Sequence, residues 1–344
     1  MLTGQELNRA LLARQLLLQR TRASLPKVVE RMAGVQAQYA PSMYIGLAAR
    51  MEVFERGQLD GALERRSAVQ GTLMRATIHL VSVADYWPMA LAVRRARREK
   101  WLNTSYRREY TAAQLSAAAR KLRARLGDGT MSRKEIHELL GSDSVITNGV
   151  NMWLDLIRVP PSGTWERRRA DLYAAAEHWL GPPPAIEEGK GIELLVGRYL
   201  AGFGPAAPEE VANWAGMHPR KLGRVLQRLK LRTFRSEDGA ELVDLPRAPL
   251  PDPDVPAPVR FLPTWDATLL AHARRTGVLP EEHRPKVFNT RTPQSVPTFL
   301  VDGRVGGSWR YEKGKVRLEP FGRLDPATRS ALRAESERLV ELHR

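Results

Sequence analysis

The sequence contains no cysteine. That excludes a disulfide framework, a thiolate nucleophile and any zinc or iron–sulfur centre held by cysteine. Lysine is scarce as well: of the 54 basic residues, 44 are arginine and 10 are lysine, which argues against chemistry through a lysine Schiff base. No segment reads GxxxxGK, GxGxxG or HExxH, and the seven histidines lack metal-ligand spacing. Neither a metal nor a cofactor is expected. No apolar run is long enough to span a membrane, since the most apolar later stretch, 76–93, is interrupted by His79, Asp85 and Pro88. Arg9, Arg14 and Arg20 likewise break up the start of the chain, which reads as a helix and not as a signal peptide. The expected location is the cytoplasm.

What is present is charge of one sign. The 344 residues are 43% hydrophobic and 27% charged, the composition of a globular chain long enough for several units. Basic residues outnumber the 38 acidic ones, giving a net charge of +16. A codon bias toward arginine does not remove carboxylates, so the surplus stands as a physical feature. It produces a positive potential that attracts polyanions, nucleic acid first among them.

Along the chain, Thr3 with Glu6 forms a capping box ahead of Leu7, Ala10, Leu11 and Leu18 at helical spacing. A second helix is expected from Ser24 to Ala33 with Gly34 as its stop, a third from Pro41 to Arg50 and a fourth from Gln58 to Arg65. The period then changes to two over Val69–Leu73 and Ala76–Val81, around Met74-Arg75. Helices followed by a hairpin match a winged helix. Residues 90–125 read as helical and basic, with Arg94, Arg95, Arg97, Arg98 and Lys100 clustered. Ser132 and Glu135 cap a short helix, Arg133–Leu140; residues 141–144 form the turn, and Ile146–Arg158 is the expected second helix of a helix-turn-helix. The segment from Val159 to Trp165 and the run Arg167-Arg168-Arg169 resemble its wing, and Pro182-Pro183-Pro184 marks a boundary. A third helix-turn-helix follows: Pro208–Trp214, a turn at 215–218, then Pro219–Leu229 carrying Arg220, Lys221, Arg224 and Arg228, with a hairpin wing over 231–245. Beyond a proline-rich linker, short apolar runs around Asp302-Gly303-Arg304 suggest a small sheet or barrel closed by a helix from Asp325 to Leu342.

The segment Gly34-Val35-Gln36-Ala37-Gln38 carries the most specific signal. Residues two apart in an extended strand project to the same side, so the amides of Gln36 and Gln38 could hold one water between them. Taken alone, the pair reads as a polar loop. Thr77 and His79 share a face of a predicted strand, where a phosphate contact, a place beside that water or a buried core histidine all stand open. Arg75 is expected at the hairpin, within reach of DNA. The cluster Arg94, Arg95, Arg97 and Arg98 covers more than one helical face, so phosphate contact and a solvated face are both open. Tyr39, Met43 and the tryptophans read first as core or interface anchors.

Four segments in this order resemble the winged-helix DNA glycosylases of the AlkZ and YcaQ type. They are Gly34–Gln38, then Gly71–Val81 (GTLMRATIHLV), Phe261–Asp266 (FLPTWD) and Val301–Arg310 (VDGRVGGSWR), so the resemblance covers nearly the whole chain. It implies an α+β fold: tandem winged-helix units in a C-shaped arrangement with a C-terminal β-barrel, over residues 1–105, 106–185, 186–248 and 259–344. It implies excision of N7-alkylated purines from double-stranded DNA, unhooking of crosslinks or bulky adducts, no cofactor, no membrane and a monomer. The catalytic pair is QxQ in one branch and QxD in the other, and here Gln36 and Gln38 match QxQ. Arg75, Thr77, His79, the 94–98 arginines and Arg310 are the expected DNA contacts. The competing expectation is a winged-helix transcriptional regulator without catalysis, because such folds more often bind DNA than act on it.

Overall fold

The computed structural model describes residues 1–103, 110–169, 171–272, 276–288 and 295–344. The first part runs α1 (Gly4–Arg14), α2 (Leu25–Arg31), β1 (Val35–Gln36), α3 (Ala40–Ala48), α4 (Arg56–Glu64), β2 (Ala68–Thr72), β3 (Ile78–Ser82) and α5 (Val83–Leu102). The expected capping box starts α1: the Glu6 amide donates to Thr3 Oγ1 at 3.1 Å and the Thr3 amide to Glu6 at 2.7 Å. Gly34, at φ 85°, turns the chain out of α2 and into β1.

The next part is α6 (Ala112–Leu126), β4 (Met131–Ser132), α7 (Arg133–Leu139), α8 (Ser144–Gly149), β5 (Leu156–Arg158), β6 (Leu172–Ala175) and α9 (Ala176–Leu180). Part of the expected helical stretch 90–125, at 104–109, lies outside the described residues. The helix expected over Ile146–Arg158 is corrected here: helical structure stops by Met152, and Leu156–Arg158 is a strand. Its β-branched run at Ile157 pairs on both sides, with β2 (Gly71 opposite Ile157) and with β6 (Ala174 opposite Ile157). Pairing of long range overrode the local helical pattern.

That strand changes the architecture. The hairpin of the first part and that of the second join in one six-stranded antiparallel sheet of order β1-β3-β2-β5-β6-β4. The third part, α10 (Glu188–Phe203), α11 (Pro208–Ala215), α12 (Pro219–Leu226), β7 (Arg232–Arg235) and β8 (Glu241–Asp244), keeps its wing as a separate two-stranded sheet. Helix α10 lies so close to α5 that a Cβ on Gly191 would stand 2.5 Å from the Pro88 carbonyl oxygen. Gly197, on the same helix, has open space around it.

The last part contains β9 (Arg260–Leu262), α13 (Ala267–Leu270), α14 (Arg284–Val287), β10 (Thr298–Val301), β11 (Arg304–Glu312), β12 (Lys315–Pro320) and α15 (Pro326–His343). Its strands form an antiparallel sheet of order β12-β11-β10-β9. Among the described residues this sheet is open, with β9 and β12 as its edges, so the expected closed barrel is not what forms. Leu332, Leu339 and Leu342 of α15 share a core with Phe261, Phe299 and Trp309, which gives the sheet's apolar face a helix to bury against in place of closure.

Ion pairs made by buried arginines fasten the parts together. Arg14 of α1 meets Asp244 of β8 through two hydrogen bonds of 2.7 and 2.9 Å, with both side chains fully buried. Arg50 grips Asp266 in the same bidentate way at 2.9 and 2.8 Å. Arg9 holds the Asp302 carboxylate at 2.6 Å, beside Asn8, which donates to the carbonyls of Gly277 and Gly303. Burial would raise the Asp266 carboxyl, but the Arg50 guanidinium outweighs it and keeps the group below the usual carboxylate range.

Candidate active site

Strand β1 is only two residues long, yet its position is fixed from both sides. Val35 and Gln36 stand opposite Leu80 and His79 of β3, and the Ala37 amide donates to the Ile78 carbonyl at 2.8 Å. From the other side Arg158 of β5 donates to the Ala37 carbonyl at 3.0 Å. Ala37 turns into the core and the two glutamines turn together the other way. Gln36 is 5% exposed, whereas Gln38 is exposed to solvent. The Gln36 side-chain amide donates to Gln38 Oε1. The two are thus coupled directly, on the shared side that the period-two spacing predicts.

Arg75 stands behind them. It occupies the turn between β2 and β3 at φ 54° and folds its guanidinium inward, donating to Gln36 Oε1 at 3.1 Å and to the Trp214 carbonyl at 2.7 Å. Arg75 was expected to reach DNA; in the structure its Nη1 and Nη2 each donate to a protein oxygen. Thr77 bonds back to the Met74 carbonyl at 3.0 Å, closing the same turn. His79 is 3% exposed, and its Nδ1 donates to the Thr77 carbonyl at 3.1 Å. Burial, helped by the nearby Arg75 charge, pushes its pKa down to about 3, so the ring is neutral. A neutral ring offers no positive charge to a phosphate, and His79 is packed as a core residue.

Gln38 opens onto a cleft of about 270 Å³ whose far wall comes from the second part of the chain. Arg133, Asn148 and Asn151 line it together with Trp101, Arg158 and Tyr173, and Thr77 lies at its edge. Arg133 donates to Asn148 Oδ1 at 2.7 Å. Among the described residues no carboxylate lines this cleft. Sequence reasoning missed these wall residues because the long-range pairing of β5 with β2 brings them here. A local signal did exist in Ile157-Arg158-Val159, a β-branched alternation just before two prolines.

The arginine cluster has another role. Arg97 is buried and donates to Asp155 Oδ1 at 2.7 Å and to the Thr72 carbonyl. Arg94 donates to the other oxygen of Asp155 at 2.6 Å, and Arg98 to the Met152 carbonyl at 3.1 Å. These three bind α5 to the second part, and Arg97, expected at a phosphate, is buried against Asp155. Arg95 is exposed and pairs with Glu99 at 2.7 Å. Arg310 is exposed on β11 between Glu319, at 2.9 Å, and Glu312, at 3.8 Å. Met43 is fully buried, as a core residue should be, and Tyr39 is half exposed with its hydroxyl accepting from Arg168 at 3.3 Å. Among the described residues no three potential ligands gather to hold a metal ion, and no helix is long and apolar enough to cross a membrane.

Known proteins match the chain over nearly its whole length. The family model described as "DNA glycosylase AlkZ-like" matches residues 29–342. An interstrand DNA cross-link repair glycosylase of Streptomyces sahachiroi is 23% identical over 337 residues, covering 90% of this chain and 88% of that protein. The solved structure of the Streptomyces sahachiroi DNA glycosylase AlkZ superposes with a TM-score of 0.83 at 21% identity, over 99% of this chain and 96% of that one. With an amide pair fixed at a cleft, one fold over the full length and a family model that spans nearly every residue, the chain belongs to the AlkZ-like DNA glycosylase family.

Proposed function

We propose that this DNA glycosylase is monofunctional and hydrolyses the N-glycosidic bond of N7-alkylated purines in duplex DNA, including purines joined in interstrand crosslinks. Gln38 contacts the reacting sugar or its water, and Gln36 orients Gln38. The observation that carries the reading is the hydrogen-bonded amide pair at the mouth of a cleft without carboxylates among its described lining residues. The crosslink repair named for the Streptomyces sahachiroi relative supports the crosslink part. Within this reading the chain acts as a cytoplasmic monomer, its winged-helix units arranged in a C around the duplex.

The chemistry asks little of a base. Alkylation at N7 leaves the purine cationic, so when the C1′–N9 bond breaks, its electron pair neutralises the ring and a neutral base departs. Water oxygen forms the new bond to C1′ and its proton passes to solvent. An amide accepts no proton under these conditions, but it can orient the water and stabilise charge developing on the sugar. Gln38 Oε1, with one lone pair engaged by Gln36, retains a second for the water, and its amide hydrogens complete the cradle.

Alkali-revealed cleavage of a labelled duplex carrying one N7-methylguanine tests this. Abasic sites should form with the native protein and not with the Gln36→Ala, Gln38→Ala double variant, while both bind duplex; excision at the native rate by the double variant would sink the assignment. Because glutamine does not titrate and His79 is already neutral above about pH 3, the single-turnover rate should show no ionisation between about pH 5 and 8. A bell-shaped profile in that range would reveal an acid or base that this reading lacks.

A further inference from the structure

We propose that Arg75 is the positioning residue of the glutamine pair, and that the third part of the chain holds it in place; the proposal rests on the role just given to Gln36 and Gln38. An amide has two nearly equivalent ends, and nothing in the strand itself decides which end of Gln36 faces Gln38. Arg75 decides it. A guanidinium has donors only, so the Gln36 group 3.1 Å from Arg75 Nη2 must be the oxygen. The Gln36 amide nitrogen is thereby turned toward Gln38 Oε1, and Gln38 presents its NH₂ and one remaining lone pair.

Two further observations set Arg75 apart from an ordinary structural arginine. Among the described residues it forms no ion pair: its guanidinium meets only the Trp214 carbonyl and the Gln36 amide oxygen. The buried arginines at positions 14, 50 and 97 each face a carboxylate; Arg260, buried without an ion pair among the described residues, donates to the carbonyl of its neighbour Val259, whereas Arg75 reaches across the fold to a side-chain amide. A desolvated cation without a counter-charge opposes folding, and a fold that needed only packing would do better with an apolar side chain. Its backbone is also held from outside. Gly216, in the turn between α11 and α12, lies against it so tightly that a Cβ there would stand 2.9 Å from both the nitrogen and Cα of Arg75. Lys100 donates to the Arg75 carbonyl at 3.2 Å. The helix-turn-helix of the third part is thus the wall that fixes the arginine, and the arginine fixes the amides.

The experiment is a double-mutant cycle on single-turnover release of N7-methylguanine, using the full chain, with duplex affinity measured in parallel. Arg75→Met should slow excision roughly 100-fold, the scale expected when a reacting group is misplaced by about 1 Å, and should leave the affinity for undamaged duplex unchanged. In a Gln36→Ala background it should cost nothing more. Arg75→Lys, which keeps the charge but replaces the planar fork with a compact ammonium, guards against a variant that fails to fold and should be slowed less. Guanidinium ion added to Arg75→Ala should restore part of the rate, which a merely structural lesion would not allow. Native rates from Arg75→Lys and Arg75→Met overturn the proposal while an inactive Gln36→Ala leaves the glutamine reading intact. Additive losses in the cycle overturn it too, because Arg75 would then act by a route that bypasses Gln36. If Gln36→Ala excises normally, both readings fall together.

Discussion

Two arginine groups of similar appearance in the sequence end in opposite situations. On α5, Arg94, Arg97 and Arg98 turn toward Asp155 and the carbonyls of residues 152 and 153, with Arg97 3% exposed at its side chain. Arg220, Arg224 and Arg228, beginning on α12 and continuing past its end, stand four residues apart and are all exposed, and none forms an ion pair among the described residues. The more concentrated group is mortar between parts of the chain. The sparser one is a run of exposed positive charge along α12 and the turn after it, open to a duplex phosphate backbone. A count of charges cannot tell these apart, because what decides is whether a carboxylate arrives from elsewhere in the chain.

The harshest way to sharpen that contrast is to remove the carboxylate. Asp155→Ala leaves Arg97 buried with only a carbonyl for company, and should lower unfolding free energy by about 3 kcal/mol in urea titrations. The pH dependence runs the same way. Burial works to raise the Asp155 carboxyl, but the charges of Arg97 and Arg94 outweigh it and hold the folded-state pKa below the ordinary value. Its stabilisation is therefore complete above the unfolded carboxylate range near pH 4 and is lost as pH falls through the lower folded value. The variant should show a shallower loss of stability on acidification. A variant as stable as the native protein would mean that α5 needs no such mortar, and its arginines would return as candidates for DNA.

Next in size comes the exposed run. Arg220→Gln with Arg224→Gln should leave stability nearly unchanged. It should weaken duplex binding and reduce the slope of log affinity against log salt by about 2, one for each phosphate that is no longer neutralised. An unaltered slope would show that this face of α12 points away from DNA and would dissolve the comparison from its other side.

How much of this was legible in the sequence follows from how far apart the interacting residues lie. The capping boxes at Thr3 and Ser132, the third helix-turn-helix with its wing and the shared side of Gln36 and Gln38 all depend on neighbours a few residues away, and the structure places each as expected. The joined sheet was not legible, because Gln70 meets Arg158 only after two separate hairpins align. The direction of Arg75 was not legible either, since its partners are Gln36 and Trp214, one far before it and one far after. Of the four segments that carried the family resemblance, Gly34–Gln38 and Gly71–Val81 build the site. The other two act at a distance: Asp266 anchors Arg50, and Asp302 and Gly303 receive Arg9 and Asn8. A shared motif marked a staple as readily as it marked chemistry.

The gentlest probe addresses the one member of the α5 group that the comparison leaves ambiguous. Arg95 points to solvent, 74% exposed at its side chain, and pairs with Glu99 one turn along the helix. Exposed pairs of this kind contribute little to stability because water and salt screen them, so Arg95→Gln should melt with the native protein. Its effect on DNA is the informative part. If the salt slope of duplex binding stays the same, the whole α5 group is internal in function and the exposed run on α12 carries the contrast alone. If the slope drops by about 1, Glu99 is only a resting partner that a phosphate displaces, and the helix serves both as mortar on one face and as grip on the other.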